Sequence, residues 1–180
     1  MMEREPTPHY EIRAPRVDDY EPIRRMHGRI WRATYPNEAA GVPQEWVNEE
    51  TARWLLPESL ERSKALFETI VAHPETHFYR IIEQDGAPMG FIHATYENAH
   101  YNLSGLYVDP AFQGSGVANE LMELVYNWVG DNDVDLEVVT YNTRAIRFYE
   151  KHGFVMSDTD NELFKGRLPN RTMVRKAKEQ

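Results

Sequence analysis

The stretch LYVDPAFQGSGVANELM, Leu106 to Met122, joins a strand-like run to an amphipathic helix through Gln113-Gly114-Ser115-Gly116-Val117-Ala118. Glycines at 114 and 116 let the backbone approach an anion with no Cβ in the way. The helix that follows adds unpaired N–H groups and the positive end of its dipole. The chemistry first suggested is therefore a phosphate-bearing cofactor. A dinucleotide fingerprint needs a third Gly where Asn119 stands, and a P-loop needs Gly-Lys, which the chain lacks. For these six residues alone, a plain strand-to-helix turn is the ordinary alternative.

A second motif lies downstream: Asn142, Ala145, Tyr149, Gly153 and Phe154, spaced as Asn-x-x-Ala-x-x-x-Tyr-x-x-x-Gly-Phe. Two further features accompany it, Leu-Tyr-Val-Asp-Pro before the Gly turn and Ile12-Arg13 ahead of Asp19. In order and spacing the set resembles the GNAT superfamily of N-acetyltransferases over essentially the whole chain. The resemblance implies an α/β (α+β) fold, with a mixed twisted sheet of six to seven strands, helices on both faces and splayed central parallel strands that admit pantetheine. It implies acetyl-CoA as cosubstrate and direct attack by a primary amine in a ternary complex.

The same resemblance assigns roles. Backbone N–H groups of Gly114, Ser115, Gly116, Val117 and Ala118 would face the pyrophosphate, with Gln113 where many relatives carry Arg. Leu106, Tyr107 and Val108 would offer main-chain hydrogen bonds to the acetyl and pantetheine amide groups, and a backbone donor to the oxyanion. Asn142 would turn toward the pantetheine arm, although N-capping alone also explains it. Tyr149 would face the CoA sulfur and donate a proton to the departing thiolate, since a phenol is protonated at neutral pH. Packing on Phe154 in a Schellman motif is its alternative role.

A primary amine is neutral in only about one molecule in a few thousand at pH 7, so a base is required. Some relatives place Glu at the start of the strand before the Gly turn; here that position is Asn102. The candidate replacements are Glu97, taken as the side-chain base, His100, His93 and a water held by Ser104. Trp31, Tyr35 and Tyr96 are taken to meet the acceptor, the first two within the segment Trp31 to Trp54 that also carries Trp46, Glu38, Glu45, Glu49 and Glu50. Ordinary packing accounts for any one of these aromatics. The Ala-Thr-Tyr-Pro and Pro-Gln-Glu-Trp stretches resemble bacterial polyamine-type and small-amine acetyltransferases, which with the acidity of the chain points to a polyamine or other small cationic amine. Two other readings share the fold: a silent acyl-CoA-binding or regulatory domain, motivated by Asn102, and acetylation of a protein N-terminus or lysine.

The elements that must position these residues follow from periodicity. Tyr10–Arg13 reads as a strand, followed by helices near 18–35, 43–54 and 57–73, the last with Leu60, Lys64, Phe67 and Val71 on one stripe. Strands at 77–83, 89–96 and 102–108 form a meander with turns at Asp85-Gly86 and 97–100. A helix from Val117, a parallel strand at 135–140, a helix at 142–152 and a last hairpin at 161–167 and 171–175 complete the chain. With 180 residues, 41% hydrophobic, one domain over 1–180 is expected.

The absence of cysteine excludes disulfides, thiolate metal sites and an acyl-cysteine. His73 and His77 are interrupted by Pro74, so no metal site is expected. A net charge of −9 argues against nucleic acid or an anionic membrane as partner. The start MMEREPTPHY has no apolar leader, so a cytoplasmic protein is expected, and exposed edge strands are compatible with a homodimer.

Overall fold

The computed structural model describes residues 9–177. The first eight residues, including most of the stretch used to judge a leader, lie outside the described residues. A seven-stranded mixed sheet in the order β1-β2-β3-β4-β5-β7-β6 forms the frame. Its strands are β1 (Glu11–Arg13), β2 (His77–Gln84), β3 (Ala87–Glu97), β4 (His100–Val108), β5 (Val134–Val139), β6 (Val155–Asp160) and β7 (Asn170–Arg175). Five α-helices accompany them: α1 (Tyr20–Thr34), α2 (Gln44–Arg53), α3 (Pro57–Ala72), α4 (Val117–Val129) and α5 (Thr143–Lys151).

The meander β2-β3-β4 is joined by tight turns whose central residues, Asp85-Gly86 and Asn98-Ala99, all have positive φ, the geometry that matches strand twist. One face of the sheet packs on α4 through Val117, Leu121, Met122, Val125 and Val129. The other face packs on α1 through Ile23, Met26 and Ile30, with Phe67 and Ile70 of α3 behind. Arg13 ties β1 to the start of α1, with Nε donating to Glu83 at 2.7 Å and Nη1 donating to Asp19 at 2.8 Å.

Two readings of the sequence need correction. The buried stripe of α3 is Ser63, Phe67 and Ile70; Lys64 and Val71 face solvent, because α1 covers the helix one residue out of phase with the expected stripe. The last hairpin is β6–β7, and the segment 161–169 is a loop carrying one isolated bridge, Phe164 to Leu168. β6 hides in the sequence because it is an edge strand: its residues VMSDTD are mostly polar and its one branched apolar residue, Val155, is 70% exposed. β7 inserts between β5 and β6, so the last strand among the described residues is internal. Among the described residues no helix is long and apolar enough to cross a membrane.

Candidate active site

β4 and β5 run parallel, yet they pair only at Tyr101 with Val134 and Asn102 with Asp135. Beyond those rungs the strands part, so main-chain groups on their facing edges are left for another partner. The other edge of β4 is fully engaged, with Leu106, Tyr107 and Val108 opposite Ile92, Phe91 and Gly90. Into the splay opens a cavity of about 290 Å³ whose walls include Leu106, Tyr107, Val108, Gln113, Ala118, Asn142 and Tyr149. The structure thus brings these seven donor-side residues, drawn from four elements, to one cavity.

The Gly turn has the geometry of an anion cradle. Gly114 and Gly116 sit at φ +86° and +91°, a region where a side chain is strained, and a Cβ at either would meet nothing within 4 Å. Gly116 is the N-cap of α4 and provides no side-chain cap. Ser115 steadies the turn, its Oγ donating to the Phe112 carbonyl at 2.7 Å and accepting from the Val117 N–H at 3.3 Å. Gln113 does not stand alone: Arg144 Nη1 donates to its Oε1, so α5 brings a guanidinium to the turn where the first motif lacks one. Arg144 lies in the first turn of α5, where a cation opposes the helix dipole. That mismatch was a signal in the sequence.

For Asn142 and Tyr149 the two readings of each coexist. Asn142 Oδ1 accepts from the Ala145 N–H at 3.2 Å and caps α5 while the residue lines the cavity. Tyr149 and Phe154 close a Schellman motif: the Phe154 N–H donates to the Tyr149 carbonyl, the Gly153 N–H donates to the Glu150 carbonyl, and the rings meet at 5.7 Å. The motif fixes the ring, and the hydroxyl has no hydrogen-bond partner among the described residues. Burial pushes the Tyr149 phenol well up, with Tyr107 adding to the effect, so it is fully protonated. Tyr35 and Tyr107 complete a phenol cluster, their hydroxyls 3.4 Å apart, while Tyr141 donates to the Tyr35 carbonyl at 2.6 Å.

Trp31 and Tyr35 are buried and line the cavity from α1 and its C-cap, and both also pack the core. Tyr96 does not join them; its ring lies tilted against Tyr101 with centroids 4.5 Å apart, outside the cavity wall. Glu97 is a correction as well. It is exposed at the β3–β4 turn, and its partner in register, His100, lies about 13 Å along β4 from Ser104. The acids of α2 are not on the cavity wall, and Glu50 is taken up by Lys165 at 2.5 Å.

Asn102 Nδ2 donates to Asp135 Oδ1 at 2.8 Å, and Asp135 in turn meets His100 at 2.9 Å. Ser104 is the extra residue of a β-bulge, since His93 faces Gly105 and Ala94 faces Leu103. Its hydroxyl donates to Asn102 Oδ1 at 3.0 Å, leaving oxygen lone pairs at the cavity. His93 lies against His77, 3.2 Å between ring nitrogens, and burial with the neighbouring His77 lowers it to about 4. The carboxylate on the cavity wall is Glu137 of β5, which sequence reasoning missed. It shares the alternate face of β5 with Asp135 and Val139, a period-two relation that could have found it.

A splayed parallel pair, a glycine cradle at a helix start and a buried phenol between them define an acyltransferase-type architecture, and the comparisons agree. The chain belongs to the acetyltransferase (GNAT) family, which residues 43–154 match. It is similar in fold to the PaiA N-acetyltransferase of Thermoplasma acidophilum, solved in complex with coenzyme A, with a TM-score of 0.71 and 22% identity over 93% of this chain and 99% of that one. A mycothiol acetyltransferase of Propionibacterium freudenreichii is 27% identical over 129 residues, 70% of this chain and 37% of its own length. A probable serine/threonine-protein kinase of Dictyostelium discoideum is 32% identical over 81 residues, 44% of this chain and 11% of the relative. The chain therefore spans well under half the length of either curated relative.

Proposed function

We propose that the protein is an acetyl-CoA-dependent N-acetyltransferase acting on a primary amine. The observation that carries this reading is the parting of β4 and β5 beyond Asn102 and Asp135, with Tyr149 buried on the wall of the gap and the Gly turn running between two residues of that wall, Gln113 and Ala118. These features fit acetyl-CoA. Main-chain N–H groups of the turn and the Arg144 guanidinium would hold the pyrophosphate, and the free edge of β4 would hold the pantetheine amides. Bound there, acetyl-CoA supplies an acyl group activated as a thioester.

The protein's own groups do the rest. Backbone N–H groups of β4 stabilise the negative charge that grows on the carbonyl oxygen as the amine nitrogen bonds to carbon. As the carbon–sulfur bond breaks, the Tyr149 hydroxyl donates a hydrogen bond to the thiolate. Its raised pKa makes complete proton transfer unfavourable, so it stabilises the leaving group and solvent completes the thiol. The ammonium proton leaves through a water on the Ser104 lone pairs to Glu137, which replaces Glu97 as the base. The products are an amide, a free thiol and one proton.

Thiol release from acetyl-CoA that depends on an added amine tests the reading. Release is expected with at least one member of a panel of amino acids, peptide N-termini, polyamines and aminoglycosides between pH 7 and 9. Stabilisation by CoA with no release on any member favours the silent binding domain instead. The polyamine reading rests on the charge of the whole chain and on the Ala-Thr-Tyr-Pro and Pro-Gln-Glu-Trp stretches.

A further inference from the structure

A second chamber of about 240 Å³ lies between α1, α3 and the sheet, and it meets the first at Trp31, Ser104, Tyr107 and Phe164. Its walls are aromatic: Trp54, Tyr79 and Phe91 join Trp31 and Tyr107, and the His27 ring stands 4.1 Å from Tyr107 and 5.0 Å from Trp54. The charged side chains on these walls are both cations, Arg24 and Lys165. Lys165 is neutralised by Glu50. Arg24 is not.

Arg24 Nε donates to Ser63 Oγ at 2.7 Å, and Ser63 passes its own hydrogen to the Ser59 carbonyl at 2.9 Å. The guanidinium carbon sits 5.6 Å over the Trp54 ring. Neither Nη group has a hydrogen-bond partner, and no carboxylate lies within ion-pair distance, among the described residues. In the same wall His27 Nε2 and Trp31 Nε1 are buried without a partner. Burial, with Arg24 adding to it, lowers His27 to about 3, so it is neutral and offers no competing charge. A half-buried guanidinium with no counter-charge and both outer nitrogens left without a protein partner favours an anion, and its planar fork matches a carboxylate.

We propose that this chamber takes the carboxylate end of the acceptor, which is an amino acid with an apolar or aromatic side chain, held by Arg24. The inference rests on the acetyl-transfer reading above and gives it a substrate class. Ser104 and Tyr107 border both chambers, so one small molecule sets its amine at the splay and its carboxylate at Arg24. A polyamine would bring a further cation to a wall whose one unpaired charge is already positive.

The test needs no turnover. Trp31 and Trp54 are in the chamber walls, so their emission reports its occupancy. Titration with N-acetyl-L-phenylalanine and with its neutral amide is expected to give about 10- to 100-fold tighter binding of the acid. Arg24→Gln removes that ratio and Arg24→Lys keeps part of it. Equal affinity for acid and amide in the unaltered protein, or no binding of either, overturns the proposal without reliance on any variant. In the thiol-release assay, L-phenylalanine should show a KM about tenfold or more below that of phenethylamine. Acid-selective binding without release on any amine leaves the chamber standing and removes the transfer reading. Release with equal KM for the pair removes the chamber alone.

Discussion

The donor half of the site and its acceptor half are built by different means. Around the Gly turn, the proposed recognition uses main-chain groups and helix ends: Gly114 to Ala118, the open edge of β4 and the capped start of α5. In the proposed acceptor half it would come from side chains alone, with Arg24, His27 and Trp31 from α1, Trp54 after α2, Phe91 from β3 and Phe164 from the 161–169 loop. Main-chain recognition tolerates most side-chain changes but requires particular residues at a few backbone positions. Recognition by side chains needs no special backbone, so the acceptor can change while the fold stays.

The largest break in this contrast is expected from Gly116→Val. A branched side chain at φ +91° is strained and fills the space an anion would occupy. Acetyl-CoA affinity should fall at least about 100-fold, several hydrogen bonds to charge being lost together, and the thermal shift on adding CoA should vanish. Binding of N-acetyl-L-phenylalanine in the other half should persist, and a parallel loss of both would deny that the halves are separable.

Next come the groups between the halves. Tyr149→Phe should lower kcat about 100-fold with little change in the KM for acetyl-CoA, and Glu137→Gln should lower it about 10- to 100-fold at pH 7, with the loss shrinking as rising pH deprotonates the amine itself. An unchanged pH–rate profile in Glu137→Gln would return the base to the Ser104 water alone. Arg144→Gln is a smaller change, at an exposed pair with Gln113, and should raise the KM for acetyl-CoA about 3- to 10-fold, more at low salt.

The smallest effect separates the halves by pH. His27 and His93 both line the acceptor chamber and are held neutral, lowered from 6.5 to about 3 and about 4. Each folded value lies below the unfolded one, so the unfolded chain binds protons first as pH falls. Their contribution is intact above about pH 6.5 and is lost progressively toward pH 3 to 4. The urea midpoint should drop across that range, and His93→Gln should flatten the drop. CoA-induced stabilisation rests on main-chain groups and should persist at pH 5.5.

How legible each half was in the sequence follows from the same contrast. The glycines of the turn, the Asn142 cap and the Tyr149–Phe154 closure announce themselves because backbone demands restrict residue type at fixed spacing. Arg24 and Arg144 gave weaker signals, one as a charged residue on the same α1 stripe as His27 and Trp31, the other as a cation at a helix start. Glu97 and Tyr96 were misplaced because they end β3 opposite His100 and Tyr101, at the end of β4 that stays paired with β5, away from the splay.

By itself the sequence determined the order of elements, the anion turn, the two motifs and the family to which they belong, since these are local patterns read one after another along the chain. Only the tertiary structure decided where β4 leaves β5, that Glu137 rather than Glu97 stands on the cavity wall, that Arg144 answers Gln113, and that Arg24 faces a chamber without a counter-charge. Each of those facts is a meeting of residues far apart in the chain. Side-chain pairs of that kind form by packing, which places no constraint on neighbouring residues that a reader of the sequence could see.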